Sequence, residues 1–139
     1  MKILVCHDGS KNAQDALEKT IAFFGALKPE IILLSVVEES RSASSESENI
    51  FDSEKQDRKS VLVKIAEGIS KKGIKAEILI YVGGPKKTIL KVAEARQPDF
   101  IVVARRGSEN ILQKMYGSIS EFLIQYSKYP VIVFQEHKP

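Results

Sequence analysis

Two short glycine-containing stretches near the C-terminal end of the chain have the composition of a phosphate-binding loop. Ala104-Arg105-Arg106-Gly107 is followed, after nine intervening residues, by Gly117-Ser118. The first stretch follows the apolar run 100–103, and the second opens an amphipathic segment. Glycine lets backbone N–H groups approach an anion closely, and a helix N-terminus offers unpaired donors at the positive end of its dipole. The pattern therefore predicts a loop that holds phosphate, with residues 118–121 as a helix capping box.

A second candidate lies at the end of the first apolar run, where the chain reads His7-Asp8-Gly9-Ser10. Asp8 could accept hydrogen bonds from an adenine amino group or a ribose hydroxyl, or help to hold a phosphate-bound metal. The alternative is that Asp8 is an N-cap or turn residue. His7 could act as a base, although a lone histidine at a strand end is more often a packing or hydrogen-bonding residue. Arg105 and Arg106 could pair with phosphate oxygens or lie solvated in their loop.

Composition narrows the classes of protein to consider. A length of 139 residues suits one domain, residues 1–139, and 43% apolar with 28% charged residues is typical of a soluble globular protein. The net charge of +3 is spread over short basic pairs, which does not favour a nucleic-acid or membrane partner. Cys6 is the only cysteine, so the chain has no intrachain disulfide or metal framework, and we interpret it as a small core residue. Without a signal-like or membrane-spanning apolar run, a reducing cytoplasm is the expected compartment.

Several familiar nucleotide and catalytic motifs are absent from the sequence. The loop after the first apolar run is not G-x-G-x-x-G, and the chain contains no G-x-x-x-x-G-K-[ST]. A standard dinucleotide-binding fold and a P-loop NTPase are therefore unsupported. The run that ends at Val82 supplies no aspartate, so the acidic pocket of a response-regulator receiver is hard to assemble. No nucleophile is followed by a recognisable base, although a triad assembled in space stays open.

Five short apolar runs alternate with four amphipathic segments, which predicts strands and helices in turn. The runs are rich in Ile and Val with little polar alternation, as in strands buried on both faces of a parallel sheet. The predicted strands are 3–6, 31–37, 76–82, 100–104 and 131–134. The predicted helices carry apolar residues at spacings of three and four within 13–24, 62–69, 85–93 and 119–126. Gly73 ends the second helix and Pro85, after the turn Gly83-Gly84, begins the third.

This alternation predicts a doubly wound α/β domain with helices on both faces of the sheet. In open sheets of this kind, ligands bind outside the carboxyl ends of the strands, where the strand order reverses. If the first and fourth strands are neighbours at that point, Asp8 and the Gly107 loop face one crevice. The segment 38–57, rich in Ser and Glu, breaks the rhythm and is predicted to be a flexible loop. It is either a solvated insertion or a lid or regulatory segment.

The ordered set of these motifs resembles the universal stress protein family, of the single-domain type, over essentially the whole chain. Residues 2–10 are similar to its first strand and Asp-Gly-Ser turn, and residues 32–37 to its second strand. Gly84-Pro85 is similar to its third-helix entry, and residues 117–121 with 130–133 to its C-terminal signature.

The ATP-binding subgroup of this family carries G-x2-G-x9-G-[S/T]. Here Gly107, Gly117 and Ser118 keep the spacing, and Ala104 replaces the first glycine. Alanine is tolerable there if the backbone φ is negative and costly if φ must be positive.

The resemblance implies a Rossmann-like, five-stranded parallel sheet in the order 3-2-1-4-5 and a bound ATP with Mg²⁺ or Mn²⁺. The residues implied to surround the nucleotide are His7, Asp8, Val36, Val103, Ala104, Gly107, Gly117, Ser118 and Ile119. The first three would surround adenine and ribose, the next two would line the ribose side, and the last four would hold the phosphates, mainly through main-chain donors. A homodimer is also implied, in which the last strand, an apolar edge, pairs with its counterpart.

We therefore expect a nucleotide-dependent switch or sensor in the stress response, acting with a signalling partner that the sequence does not identify. Hydrolysis of ATP would be slow at most, because no residue is an obvious water-activating base. One alternative is a dimeric stress-response interaction module that binds no nucleotide. Another is an enzyme of the adenine-nucleotide α-hydrolase-like group, such as a nucleotidyl-transfer or ligase domain, although 139 residues leave little room for a substrate domain.

Overall fold

The computed structural model describes residues 1–38, 45–105 and 119–135, and for residues 45–52 it describes the backbone alone. The strands are β1 (Lys2–Cys6), β2 (Glu30–Val37), β3 (Lys75–Val82), β4 (Phe100–Arg105) and β5 (Val131–Gln135). The helices are α1 (Lys11–Phe24), α2 (Ser45–Lys71), α3 (Pro85–Arg96) and α4 (Ile119–Tyr126), with a 3-10 turn at Gly25–Leu27. The predicted strands and helices are thus confirmed in kind and order.

The five strands form one all-parallel sheet in the order β3-β2-β1-β4-β5, which confirms the predicted doubly wound α/β fold. β1 is the central strand: Ile3 pairs with Ile31 of β2 on one side and with Phe100 of β4 on the other. The chain builds outward from β1 to β3, then returns to the far side of β1 for β4 and β5. The strand order therefore reverses between β1 and β4, and their carboxyl ends are neighbours.

The core lies in two layers, one on each face of the sheet. Ile3 and Val5 of β1 are buried against Leu17 of α1 and Ile69 of α2. Leu4, between them in sequence, is buried in the opposite layer, which contains residues of α3 and α4. Successive side chains of a strand point to opposite faces, and here helices cover both. This is why the strands are apolar throughout rather than alternating.

Local signals fix where the helices begin and end. The Ser10 hydroxyl accepts a hydrogen bond from the Ala13 N–H at 3.2 Å and caps the N-terminus of α1. Pro85 opens α3, where its missing N–H has no helical partner to lose. Gly73, with φ +77°, follows α2 in a left-handed conformation that favours glycine.

Helix α2 is longer than the sequence pattern predicts. It begins at Ser45, so residues 45–57 of the segment 38–57, expected to be a flexible loop, are helical. This stretch contains neither glycine nor proline, and its three Glu residues, Lys55 and Gln56 are good helix formers. The buried residues Leu62 and Ile69 anchor the C-terminal half of α2 to the sheet, so the polar half continues a helix that is already nucleated. Residues 53–57 are exposed.

Within the described ranges, no helix is both long enough and apolar enough to cross a membrane.

Candidate functional site

A cavity of about 400 Å³ opens at the carboxyl edge of the sheet. This volume is in the range of small-molecule sites, roughly 300–1,000 Å³. The described residues that line the cavity come from the ends of three strands and from all four helices. They are Cys6, His7, Asp8, Ser10, Asn12, Ala13, Leu34, Val36, Val37, Glu38, Glu54, Arg58, Pro85, Ile89, Val103, Ala104 and Ile119. The ends of β1 and β4 face one crevice, as the strand order requires.

The structure brings six of the nine predicted site residues to this cavity. These six are His7, Asp8, Val36, Val103, Ala104 and Ile119. The other three, Gly107, Gly117 and Ser118, lie outside the described residues. The six are contributed by the turn after β1, by β2, by β4 and by the first residue of α4, so segments that are distant in sequence meet at one place.

The turn between β1 and α1 is held by its own side chains. The Ser10 N–H donates to Asp8 Oδ1 at 2.9 Å, and the Ser10 hydroxyl in turn caps α1. Gly9 between them has φ +86°, a conformation that a residue with a side chain rarely adopts. Asp8 therefore has the turn-forming role that the sequence left open, and it also lies in the wall of the cavity.

His7 is buried, with 2% of its surface exposed, and both of its ring nitrogens have partners. Nδ1 accepts from the Gly9 N–H at 3.0 Å, and Nε2 lies 3.0 Å from Gln14 Oε1. Since an amide oxygen only accepts, Nε2 carries the proton and the ring is neutral. Burial lowers the pKa of His7 from its usual value, as does the Arg58 charge, against the opposing effects of the Gln14 hydrogen bond and the Asp8 charge. His7 therefore positions the turn, and the geometry does not favour it as a base.

Arg58 is a cavity residue that the sequence did not reveal. Its Nη1 donates to the Ser35 hydroxyl at 2.7 Å, and its Cδ and Nε pass over Gly9, where a Cβ would lie 3.4 and 3.3 Å from them. Arg58 lies one helical turn before Leu62, on the side of α2 that faces the sheet. The i, i+4 spacing of these two residues was the available signal, but the predicted helix began only at residue 62, after Arg58.

Ala104 and Arg105 are the last two residues of β4. Among the described residues other than glycine, only Lys28 and Gln97 have positive φ, so Ala104 does not occupy a conformation that requires glycine. Ala104 is part of β4 and pairs with Phe134 of β5. Arg105, considered as a partner for phosphate, forms an ion pair with Glu121 in the first turn of α4, with 3.1 Å between Nη2 and Oε1.

Four of the residues that line the cavity carry charged side chains. Asp8, Glu38, Glu54 and Arg58 lie at the rim. Cys6 is half-buried in the wall, and desolvation by burial raises the pKa of its thiol to about 12, so it is neutral near pH 7. In the part of the chain that the structure describes, no three His, Cys, Asp or Glu side chains are grouped so that they could hold a metal ion.

The state of His7 makes the stability of the fold depend on pH. Its pKa in the folded state lies below the unfolded value of about 6.5, so the unfolded chain binds the proton more readily. We expect the free energy of unfolding to keep this contribution above pH 6.5 and to lose it as the pH falls further. Protonation would turn Nδ1 from an acceptor into a donor facing the Gly9 N–H.

Urea unfolding between pH 5 and pH 8 measures this effect. The unaltered protein and a His137→Gln variant, changed at the only other histidine, should lose more stability on acidification than a His7→Gln variant. An identical pH dependence in all three proteins would contradict the role given to His7.

Comparisons with known proteins identify relatives that have the same fold. The model of the universal stress protein family matches residues 1–135. Universal stress protein MJ0577 from Methanocaldococcus jannaschii is 29% identical over 150 residues, which covers 95% of this chain and 93% of that protein. The solved structure of MJ0577 superposes with a TM-score of 0.85 and covers 99% of this chain and 97% of that one.

Two solved universal stress proteins share the fold and contain a nucleotide. One, in complex with cAMP, is 19% identical, with a TM-score of 0.76 and coverage of 96% and 95% of the two chains. The other, from Arabidopsis thaliana with AMP bound, is 23% identical, with a TM-score of 0.73 and coverage of 99% and 92%. The family match spans nearly the whole chain, and on that basis the protein belongs to the universal stress protein family.

Proposed function

We propose that the cavity binds an adenine nucleotide, ATP, and that the protein acts as a nucleotide-dependent switch or sensor in the stress response. The observation that carries the proposal is the meeting of six predicted site residues around one cavity at the point where the strand order reverses. Open α/β sheets bind their ligands at this point. The nucleotides held by two other proteins of the same fold, cAMP and AMP, support the same choice of ligand class.

The described wall of the cavity suits a nucleoside. Val36, Ile89 and Val103 supply apolar surface for a base and ribose, and Asp8 at the rim supplies a carboxylate that accepts hydrogen bonds from amino or hydroxyl groups. Ile119, the first residue of α4, places the N-terminal end of that helix at the same cavity. We propose that the phosphates lie there and that Gly107, Gly117 and Ser118, which are outside the described residues, would hold them through main-chain donors and the Ser118 hydroxyl. Mg²⁺ or Mn²⁺ would then be bound mainly by the phosphates.

The replacement of the first motif glycine by Ala104 is compatible with this site. Its backbone does not have the positive φ that would make alanine costly, so the substitution adds one methyl group to the cavity wall. A role as a switch, with slow hydrolysis at most, fits the state of His7. Both of its ring nitrogens are used to hold the turn rather than to activate water.

The role of Asp8 can be tested by isothermal titration calorimetry of ATP into protein freed of bound nucleotide. Asp8→Ala should weaken binding by at least about tenfold, because a charged acceptor at the nucleoside would be lost. Asp15→Ala, an exposed carboxylate on α1, is the matched control and should leave the affinity unchanged.

Equal affinities for the unaltered protein and Asp8→Ala would remove Asp8 from the site. A protein that neither binds ATP nor gains thermal stability from it would instead be the interaction module without nucleotide.

We also propose a homodimer that pairs β5 with its counterpart in a second subunit. β5 is an edge strand of the sheet, and its residues Ile132 and Phe134 are only partly buried. Phe23 of α1 is 68% exposed and stacks on Phe134 with 5.9 Å between ring centroids, so apolar surface continues from the strand edge onto the helix. An apolar edge that the described residues leave uncovered is suited to pairing with another chain.

Sedimentation equilibrium tests this dimer. We expect the mass of two chains for the unaltered protein and a shift toward monomer for Phe23→Lys, which brings a charge to the apolar surface. Val61→Lys, a half-exposed position on α2 beside the opposite half of the sheet, should leave the dimer intact. A monomeric unaltered protein, or equal effects of the two substitutions, would contradict a β5 interface.

A further inference from the structure

Arg58 connects three elements at the rim of the cavity. It is a residue of α2, it donates to Ser35 of β2 at 2.7 Å, and its side chain passes over Gly9 in the turn after β1. Ser35 immediately precedes Val36, and Gly9 immediately follows Asp8. The guanidinium therefore lies next to both places at which the proposed function puts adenine and ribose. It lies on the β1–β2 side of the cavity, whereas the phosphates are assigned to the side of β4 and α4.

Arg58 also differs in chemistry from the rest of the described rim. Among the described lining residues it is the only lysine or arginine, and the other charged lining residues are the carboxylates Asp8, Glu38 and Glu54. Ionised carboxylates only accept hydrogen bonds, so they can match the amino group of adenine but not its ring nitrogens. A guanidinium presents several N–H donors in a planar fork, of which one donates to Ser35 here. It can therefore donate hydrogen bonds to the ring nitrogens of adenine, which the carboxylates cannot do.

The Arg58 side chain is held in place before any ligand arrives. The Ser35 hydroxyl that receives its hydrogen bond is buried, with 1% of the residue exposed. Gly9 leaves room for the side chain, because a Cβ at that position would press against Nε at 3.3 Å. A donor that is already ordered loses little conformational entropy when it binds, which favours selectivity as well as affinity.

We propose that Arg58 is a specificity-determining residue that donates a hydrogen bond to a ring nitrogen of the bound adenine. This inference rests on the proposed function. In this arrangement, the carboxylates at the rim accept a hydrogen bond from the adenine amino group, and Arg58 donates a hydrogen bond to a ring nitrogen of the same base. The hydrogen bond to Ser35 and the packing on Gly9 make the guanidinium a fixed part of the base pocket rather than a solvated surface charge.

Calorimetric titrations with ATP and its 1-deaza, 3-deaza and 7-deaza analogues test the contact directly. Each analogue lacks one ring nitrogen as an acceptor. We expect one analogue to bind the unaltered protein about tenfold more weakly than ATP, and this difference to disappear in Arg58→Met. The ratio of ATP to AMP affinity should be the same in both proteins, because Arg58 lies away from the phosphates. Lys59→Met, an exposed neighbour on α2, should behave as the unaltered protein.

Three results would overturn the inference. If every analogue loses the same affinity in Arg58→Met as in the unaltered protein, Arg58 supports the fold without touching the base. If the ATP to AMP ratio changes, Arg58 contacts phosphate instead. If the unaltered protein binds no ATP, the proposed function fails, and the inference with it. Arg58→Lys keeps the charge but not the planar fork, so it permits the same comparison if Arg58→Met does not fold.

Discussion

The parallel pairing of β1 with β4 is the constraint on which the rest of the molecule depends. β1 is buried on both faces and hydrogen-bonded along both edges, to β2 on one side and to β4 on the other. A buried strand must have partners for its backbone N–H and C=O groups, so the chain has to return beside β1 after completing β3. That return makes the carboxyl ends of β1 and β4 neighbours. The cavity follows from it, since the chain turns away from the sheet on opposite sides of the same gap.

Within this frame, a small set of polar contacts gives the β1 end of the cavity a fixed shape. His7 anchors the turn from beneath through Gly9, Asp8 closes it through the Ser10 N–H, and Ser10 begins α1. Arg58 packs over the same turn from α2. Each of these groups has a hydrogen-bond partner, and none of the buried side-chain nitrogen and oxygen atoms of the described residues is without one. Buried polar networks that are satisfied in this way favour a single arrangement of the residues around them.

The sheet was accessible from sequence because its signals are local and strong. Runs such as 31–37 are apolar without alternation, and Gly73 and Pro85 mark helix boundaries by mechanisms that operate within one turn of chain. The strand order alone is enough to predict that Asp8 and Ala104 lie at one crevice. The N-terminal half of α2 was not accessible in the same way, because its stability comes from continuing a helix that is anchored further along at Leu62. Arg58 was missed for the same reason, and the neutral state of His7 depends on Gln14 and on burial that no local pattern reveals.

The most direct measurement of the central claim is a titration of the labelled, nucleotide-free protein with ATP, followed through its backbone amide NMR signals. We expect the amides of His7, Asp8, Val36, Ala104 and Ile119 to shift together and to saturate with one dissociation constant. These residues belong to four elements that are distant from one another in sequence and meet only at the cavity. Shifts confined to the outer groove between α1 and β5, for example at Lys19 and Phe134, or no shifts at all, would contradict nucleotide binding at the junction of β1 and β4.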